Sequence, residues 1–130
     1  MIVYVETSAA VKLLFEEAES VALALHIDDL TDGEIPLLCG DLLEVELRRV
    51  AQRRGATQQD VTNILERFDL LAMDQSIYRT AGLLPGENLR SLDALHIAVA
   101  LRVSADVMVT YDQRQIEACR SVGLNTLSPR

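Results

Sequence analysis

The segment from Ser91 to Val103, Ser-Leu-Asp-Ala-Leu-His-Ile-Ala-Val-Ala-Leu-Arg-Val, constrains this chain more than any other stretch. It is apolar almost all the way round a helical wheel, which marks a helix enclosed by the fold and not one laid on its surface. A chain with such a helix must place apolar elements on several sides of it. Short β-rich runs supply them: residues 2–5, Ile35 to Cys39, Asp69 to Met73, Asp106 to Thr110 and Asn125 to Leu127 read as strands. Between them, helical spacing predicts a helix capped by Thr7 or Ser8 and ending near Phe15. Further helices are predicted over Glu16 to Leu30, Asp41 to Arg54, from after Thr57 to Phe68, over Asp74 to Leu84, and over Asp112 to Ser121. Gly55 and the run Pro85-Gly86-Glu87-Asn88 are breaks. Strands alternating with helices predict an α/β class: a three-layer α/β/α fold around a mainly parallel sheet of four to five strands.

The length of 130 residues suits a single domain spanning 1–130 with one core. Hydrophobic residues make up 49% and charged ones 25%, the balance of a folded, soluble protein. Apolar runs such as Val21 to Leu25 are too short to span a bilayer, and Met1-Ile2-Val3-Tyr4-Val5 lacks the marks of a signal peptide. The expected location is therefore cytoplasmic, with no membrane partner. A net charge of -8 excludes a broad basic surface for nucleic acid. Lys12 is the only lysine, which removes most mechanisms that need a catalytic one. Cys39 and Cys119 match neither a zinc nor a redox spacing and read as buried free thiols.

Four carboxylates stand out by position. Glu6 falls at the carboxyl end of the first strand and Asp112 just past the end of the Asp106 to Thr110 strand, where ligands bind in open parallel sheets. Each has a plain alternative: Glu6 as a solvated loop charge, Asp112 as a helix N-cap. Glu46 lies on the apolar arc with Leu42, Leu43, Leu47 and Val50, whereas Asp41, Glu44 and Arg48 form the polar face. A carboxylate there needs a partner. Asp93 sits in the first turn of the enclosed helix, with Ser91 as its expected cap; the plain reading is complementation of the helix dipole. His96, one turn on, reads as a hydrogen-bonded core residue and stays outside the site. Together the four acids would repel one another without a cation. Oxygen-only ligands favour Mg²⁺ or Mn²⁺ over zinc, and such ions support hydrolysis of a phosphodiester.

Tyr4-Val5-Glu6-Thr7-Ser8-Ala9, Glu46-Leu47, Ser91-Leu92-Asp93-Ala94-Leu95-His96-Ile97-Ala98 and Val109-Thr110-Tyr111-Asp112 occur in an order and spacing that resemble a VapC-type PIN domain, over nearly the whole chain. The resemblance implies a PIN-like fold and a toxin that cleaves RNA endonucleolytically. It implies Glu6, Glu46, Asp93 and Asp112 as catalytic metal ligands, with Ser8 and Thr110 as supporting or substrate contacts. It further implies a homodimer and a VapB-like antitoxin whose tail enters the acidic cleft, and an acidic toxin suits a basic segment. The family usually has aspartate where this chain has Glu6. The alternative is accordingly a PIN-fold interaction protein with weak or no catalysis.

Two other acidic-site classes fit less well. A haloacid-dehalogenase-like phosphatase needs Asp-x-Asp after the first strand, which Glu6-Thr7-Ser8 does not supply. A receiver-like signalling domain needs a lysine near the last strand, and Lys12 is misplaced for that. Arg48, Arg49, Arg53 and Arg54 form the largest basic cluster; complementing the dipole at a helix C-terminus accounts for them without a ligand, contact with RNA phosphates being the alternative.

Overall fold

Five strands, β1 (Val3–Val5), β2 (Leu37–Gly40), β3 (Asp69–Leu71), β4 (Val107–Val109) and β5 (Thr126–Leu127), lie in the order β3-β2-β1-β4-β5 in the computed structural model, which describes residues 1–130. Every pairing is parallel, with Val3 beside both Leu37 and Val107 at the centre. Seven helices connect them: α1 (Thr7–Leu14), α2 (Ser20–Asp32), α3 (Leu42–Arg54), α4 (Gln58–Leu65), α5 (Gln75–Leu83), α6 (Ser91–Arg102) and α7 (Gln113–Ser121). Helices α1 to α4 pack among themselves and α5 packs on α6. The handedness of parallel crossovers puts these two groups on opposite faces, giving the three layers. No helix is long and apolar enough to cross a membrane.

β1 is buried along its whole length because it is flanked on both edges and covered on both faces. The chain leaves it toward β2 and β3 on one side and returns to β4 and β5 on the other, so strand order reverses between β1 and β4. Ligands of open α/β sheets bind outside the carboxyl ends at that reversal. Tyr4, Leu23, Ile27, Leu43, Leu47, Ile97 and Met108 are wholly buried in one continuous core.

Helix α6 is enclosed as its composition predicts, with Ala94 and residues 96–100 all buried; exposure is confined to its two ends, where Leu92 and Leu101 are 49% and 37% exposed, and is partial at Asp93 and Leu95. Three local expectations are corrected. α2 begins at Ser20 and not at Glu16, because the Ser20 hydroxyl donates to the Phe15 carbonyl at 3.0 Å and accepts from the Glu17 amide at 2.8 Å, closing a turn ahead of the helix. Glu6, not Thr7 or Ser8, caps α1, its longer side chain bending back to the Ser8 amide. Arg90, not Ser91, occupies the cap position of α6, and no side chain caps that helix. α3 stops at Gly55, whose φ of 85° is open to glycine without strain.

Candidate active site

The two strands on either side of the reversal each end in a carboxylate that caps the next helix. In a parallel strand-to-helix turn the N-cap stands at the carboxyl end of the strand, so capping and placement at the sheet edge are one requirement. Glu6 follows β1; its Oε2 accepts from the Ser8 amide at 3.0 Å, the Ser8 hydroxyl at 2.5 Å and the Thr110 hydroxyl at 2.8 Å. Asp112 caps α7, its Oδ1 accepting from the Arg114 amide at 2.9 Å. The plain reading of Asp112 as a cap therefore holds together with its place in the site. Thr110 links the two: while donating to Glu6 its oxygen also accepts from the Asp112 amide at 3.2 Å. Ser8 stands 3.2 Å from Thr110 and accepts from the Tyr111 amide at 2.8 Å, tying the start of α1 to the end of β4.

Asp93, third residue of α6, completes the group. Carboxylate oxygens of Glu6, Asp93 and Asp112 all lie within 4.8 Å of one another. Gln115 of α7 donates to the Asp93 carbonyl at 3.2 Å, which fixes the first turn of α6 against the helix that Asp112 caps. Burial, then Asp112 and Glu6 beside it, push the Asp93 carboxyl above its ordinary range, with Glu46 adding to the shift and His96 opposing it. Such a set is electrostatically strained, and an oxygen-only set of this kind fits a hard divalent cation.

Glu46 is not in the group of three. From α3 its Oε1 accepts from the Thr7 hydroxyl at 2.8 Å and meets His96 Nε2 at 2.7 Å. The tautomer of His96 follows from what lies behind it. The Tyr4 hydroxyl accepts from the Gly40 amide at 3.0 Å and has one other partner, His96 Nδ1 at 2.6 Å. It must give its own proton to Nδ1, so Nε2 carries the ring hydrogen and donates to Glu46. Burial holds the Tyr4 hydroxyl well above its ordinary pKa and so keeps that proton in place. A chain of hydrogen bonds thus runs from the backbone of β2 through β1 and α6 to Glu46. Gly40 permits it by its lack of a side chain: a Cβ there would stand 2.8 Å from Leu42 Cδ2 and 3.2 Å from Val99 Cγ2.

These contacts share a pattern. Glu6, Glu46 and Asp112 are each held through one oxygen, and the other oxygen makes no hydrogen bond within the chain. Held so, a carboxylate keeps a free, oriented ligand atom.

The expectation of His96 as a hydrogen-bonded core residue is correct, but its partner is a candidate site carboxylate. The sequence assigns no site role to Tyr4 or Gln115, and to Thr7 only that of a helix cap. The available signal was a buried tyrosine on a central strand, whose hydroxyl requires a partner. In the arginine cluster Arg48 pairs with Glu44 at 2.9 Å and reaches Gln58 and Thr62, while Arg54 lies 3.8 Å from Glu17 and stacks on Phe15. Those two are structural.

The PIN domain family model matches residues 3–121. The chain is 39% identical to Ribonuclease VapC35 of Mycobacterium tuberculosis strain H37Rv over 134 residues, covering 98% of this chain and 96% of that protein. Among solved structures it resembles Mycobacterium tuberculosis VapC20, described as a Sarcin-Ricin loop cleaving toxin, with a TM-score of 0.75, 14% identity and coverage of 98% and 99% of the two chains. It also resembles VapBC2 from Rickettsia felis, solved bound to a DNA fragment from their promoter, with a TM-score of 0.76, 17% identity and 98% of each chain covered. At these identities the two structural likenesses speak to the fold.

Proposed function

This chain belongs to the PIN domain family and its VapC group, and from that premise we propose that it is a metal-dependent endoribonuclease, the toxin of a toxin-antitoxin pair. The observation that carries the reading is the convergence of Glu6, Asp93 and Asp112 at the strand-order reversal, where a phosphodiester can approach from solvent. The name of the 39% identical relative, a ribonuclease, supports it.

Glu6, Asp93 and Asp112 would hold Mg²⁺ or Mn²⁺, with Glu46 Oε2 as a further ligand atom. When bound, the cation supplies an activated water and stabilises negative charge on the phosphate and the leaving oxygen. The residues of the chain do the rest. Ser8 and Thr110 hold Glu6 at Oε2 and keep Oε1 for the site, which lets the longer glutamate serve where the family usually has aspartate. The Tyr4 to His96 chain holds Glu46 oriented. Burial of Glu6 and Thr110 keeps water from competing for these bonds.

A VapB-like antitoxin is the proposed partner, supported by the VapBC2 likeness and by the charge of -8, which suits a basic segment. A cytoplasmic homodimer is the corresponding assembly; Tyr78, Leu83 and Leu92, exposed by 53%, 78% and 49%, offer apolar surface for it. The test is cleavage of a mixed single-stranded RNA pool by antitoxin-free protein, with Mn²⁺, Mg²⁺ or EDTA, beside Asp93→Asn. Metal-dependent cutting that the variant loses is the expected result; cutting that is indifferent to EDTA, or full activity in Asp93→Asn, refutes the proposed site.

A further inference from the structure

A net charge of -8 leaves a question: how does such a chain hold a polyanion? A cleft of ≈ 660 Å³ opens beside the carboxylates, between the loop that precedes α6 and the exposed side of α7. Asp93 belongs both to the lining of this cleft and to the acidic group, so the two adjoin at its side chain. Arg90 and Arg114 also line it. Lys12, Arg48, Arg54, Arg67, Arg102 and Arg130 all pair with carboxylates, whereas Arg49, Arg53, Arg79, Arg90, Arg114 and Arg120 pair with none; of these six, only Arg90 and Arg114 line the cleft, and their guanidinium groups donate no hydrogen bond within the chain. The framework of the site sets both positions. Arg90 is the cap residue of α6, three before Asp93, and Arg114 gives its amide to Asp112 Oδ1.

We propose that this cleft seats the ribose-phosphate backbone of the RNA strand next to the phosphate being cut, with Arg90 and Arg114 as the phosphate ligands. The proposal rests on the nuclease reading above. A guanidinium presents a planar fork of donors that matches a phosphate, and an unpaired one is free to do so. The lining contains no aromatic side chain on which a base could stack, so contact here is with backbone and is indifferent to sequence. Glu87, Asp93 and Glu117 share the lining with the two arginines. A strand entering without a cation at Asp93 therefore meets net repulsion, and its binding is coupled to the metal.

The test is fluorescence anisotropy of a fluorescein-labelled, single-stranded 2′-O-methyl RNA in Ca²⁺ or in EDTA across a range of salt concentration, with Mn²⁺ affinity measured in parallel. Wild type should bind tighter with Ca²⁺. Arg90→Gln and Arg114→Gln should each weaken binding several-fold and shrink the slope of log affinity against log salt by about 0.7, the value for one phosphate contact on a single strand. Mn²⁺ affinity should hold in both variants. Arg79→Gln and Arg120→Gln, which are exposed but outside the cleft, should leave the slope unchanged. Unchanged slopes in the cleft variants, or no RNA binding by wild type, overturn the proposal; unchanged slopes are also the outcome if the arginines serve a protein partner. The RNA-pool assay separates the two readings: cutting by wild type with unaltered KM in the arginine variants sinks the cleft alone, and altered slopes without any cutting sink the nuclease alone.

Discussion

Asp112 is held by an amide two residues further on and Glu6 chiefly by Ser8, whereas Glu46 is held by Thr7 and His96, 39 and 50 positions away. The two regions solve one problem by different means. At the ends of β1 and β4 a helix cap does double duty, satisfying a backbone amide and aiming a carboxylate. On α3, where Glu46 lies in mid-helix and has no cap to make, the chain reaches through Tyr4 and His96 to the backbone of β2 for a fixed point. Local devices tolerate small movements of the sheet, because cap and carboxylate move together. A relay across three elements transmits any movement to its end.

The largest effects are expected where a ligand oxygen disappears. Asp93→Asn should abolish metal-dependent cleavage and, by relieving repulsion from Asp112 and Glu6, raise the melting temperature of metal-free protein by a few degrees; a lower one would mean that the three acids do not strain the fold. Breaking the relay should come next. Tyr4→Phe strands the Gly40 amide and His96 Nδ1 in the core, which costs about 1–3 kcal/mol of stability in a denaturant titration. It should also lower Mn²⁺ affinity by about 10–100-fold, as for other groups that orient ligands. Nitrogen NMR of wild type should show His96 as the Nε2–H tautomer, and loss of that signature in the variant ties the affinity change to the relay.

Smaller changes should follow at the local end. Thr110→Val removes one of three bonds to Glu6 Oε2 and the acceptor of the Asp112 amide, and should reduce activity only several-fold, with Ser8 and the cap at Asp112 Oδ1 still in place. An effect as large as that of Tyr4→Phe would erase the contrast between the regions. The smallest effect concerns the thiols. Burial pushes Cys39, beside the relay, and Cys119, beside Glu6 and Asp93, up to about 12. Because these are acids with raised values, both stay neutral at pH 8. Any stability they lend falls only as pH rises from their ordinary range toward 12. Native protein should therefore resist iodoacetamide at pH 8 and react at both sites in denaturant; rapid labelling of Cys39 alone would locate loosening in the relay.

How much of this was legible in the sequence divides along the same line. The alternation of strands and helices, the enclosure of α6, and Glu6 and Asp112 at strand ends depend on neighbours within a few residues, which periodicity and cap chemistry report. The wheel placed Glu46 on the apolar face, and that it needs a partner followed. Which partner did not follow. The Tyr4 and His96 contact spans 92 positions and is decided by how β1 meets α6, which no local pattern encodes. The start of α2 departs from helical spacing for a related reason: a single serine hydroxyl, bonding across its turn, outweighs that spacing over four residues. The basic cluster on α3 stands out in sequence by density, whereas Arg90 and Arg114 stand out by being unpaired and lining one cleft with Asp93, a property visible only in three dimensions.

The most direct test of the metal site is an anomalous difference map from crystals of the protein grown with Mn²⁺. The expected result is a peak bounded by free oxygens of Glu6, Asp93 and Asp112 with Glu46 Oε2 turned toward it; no peak at saturating Mn²⁺, or one remote from these carboxylates, would contradict the account.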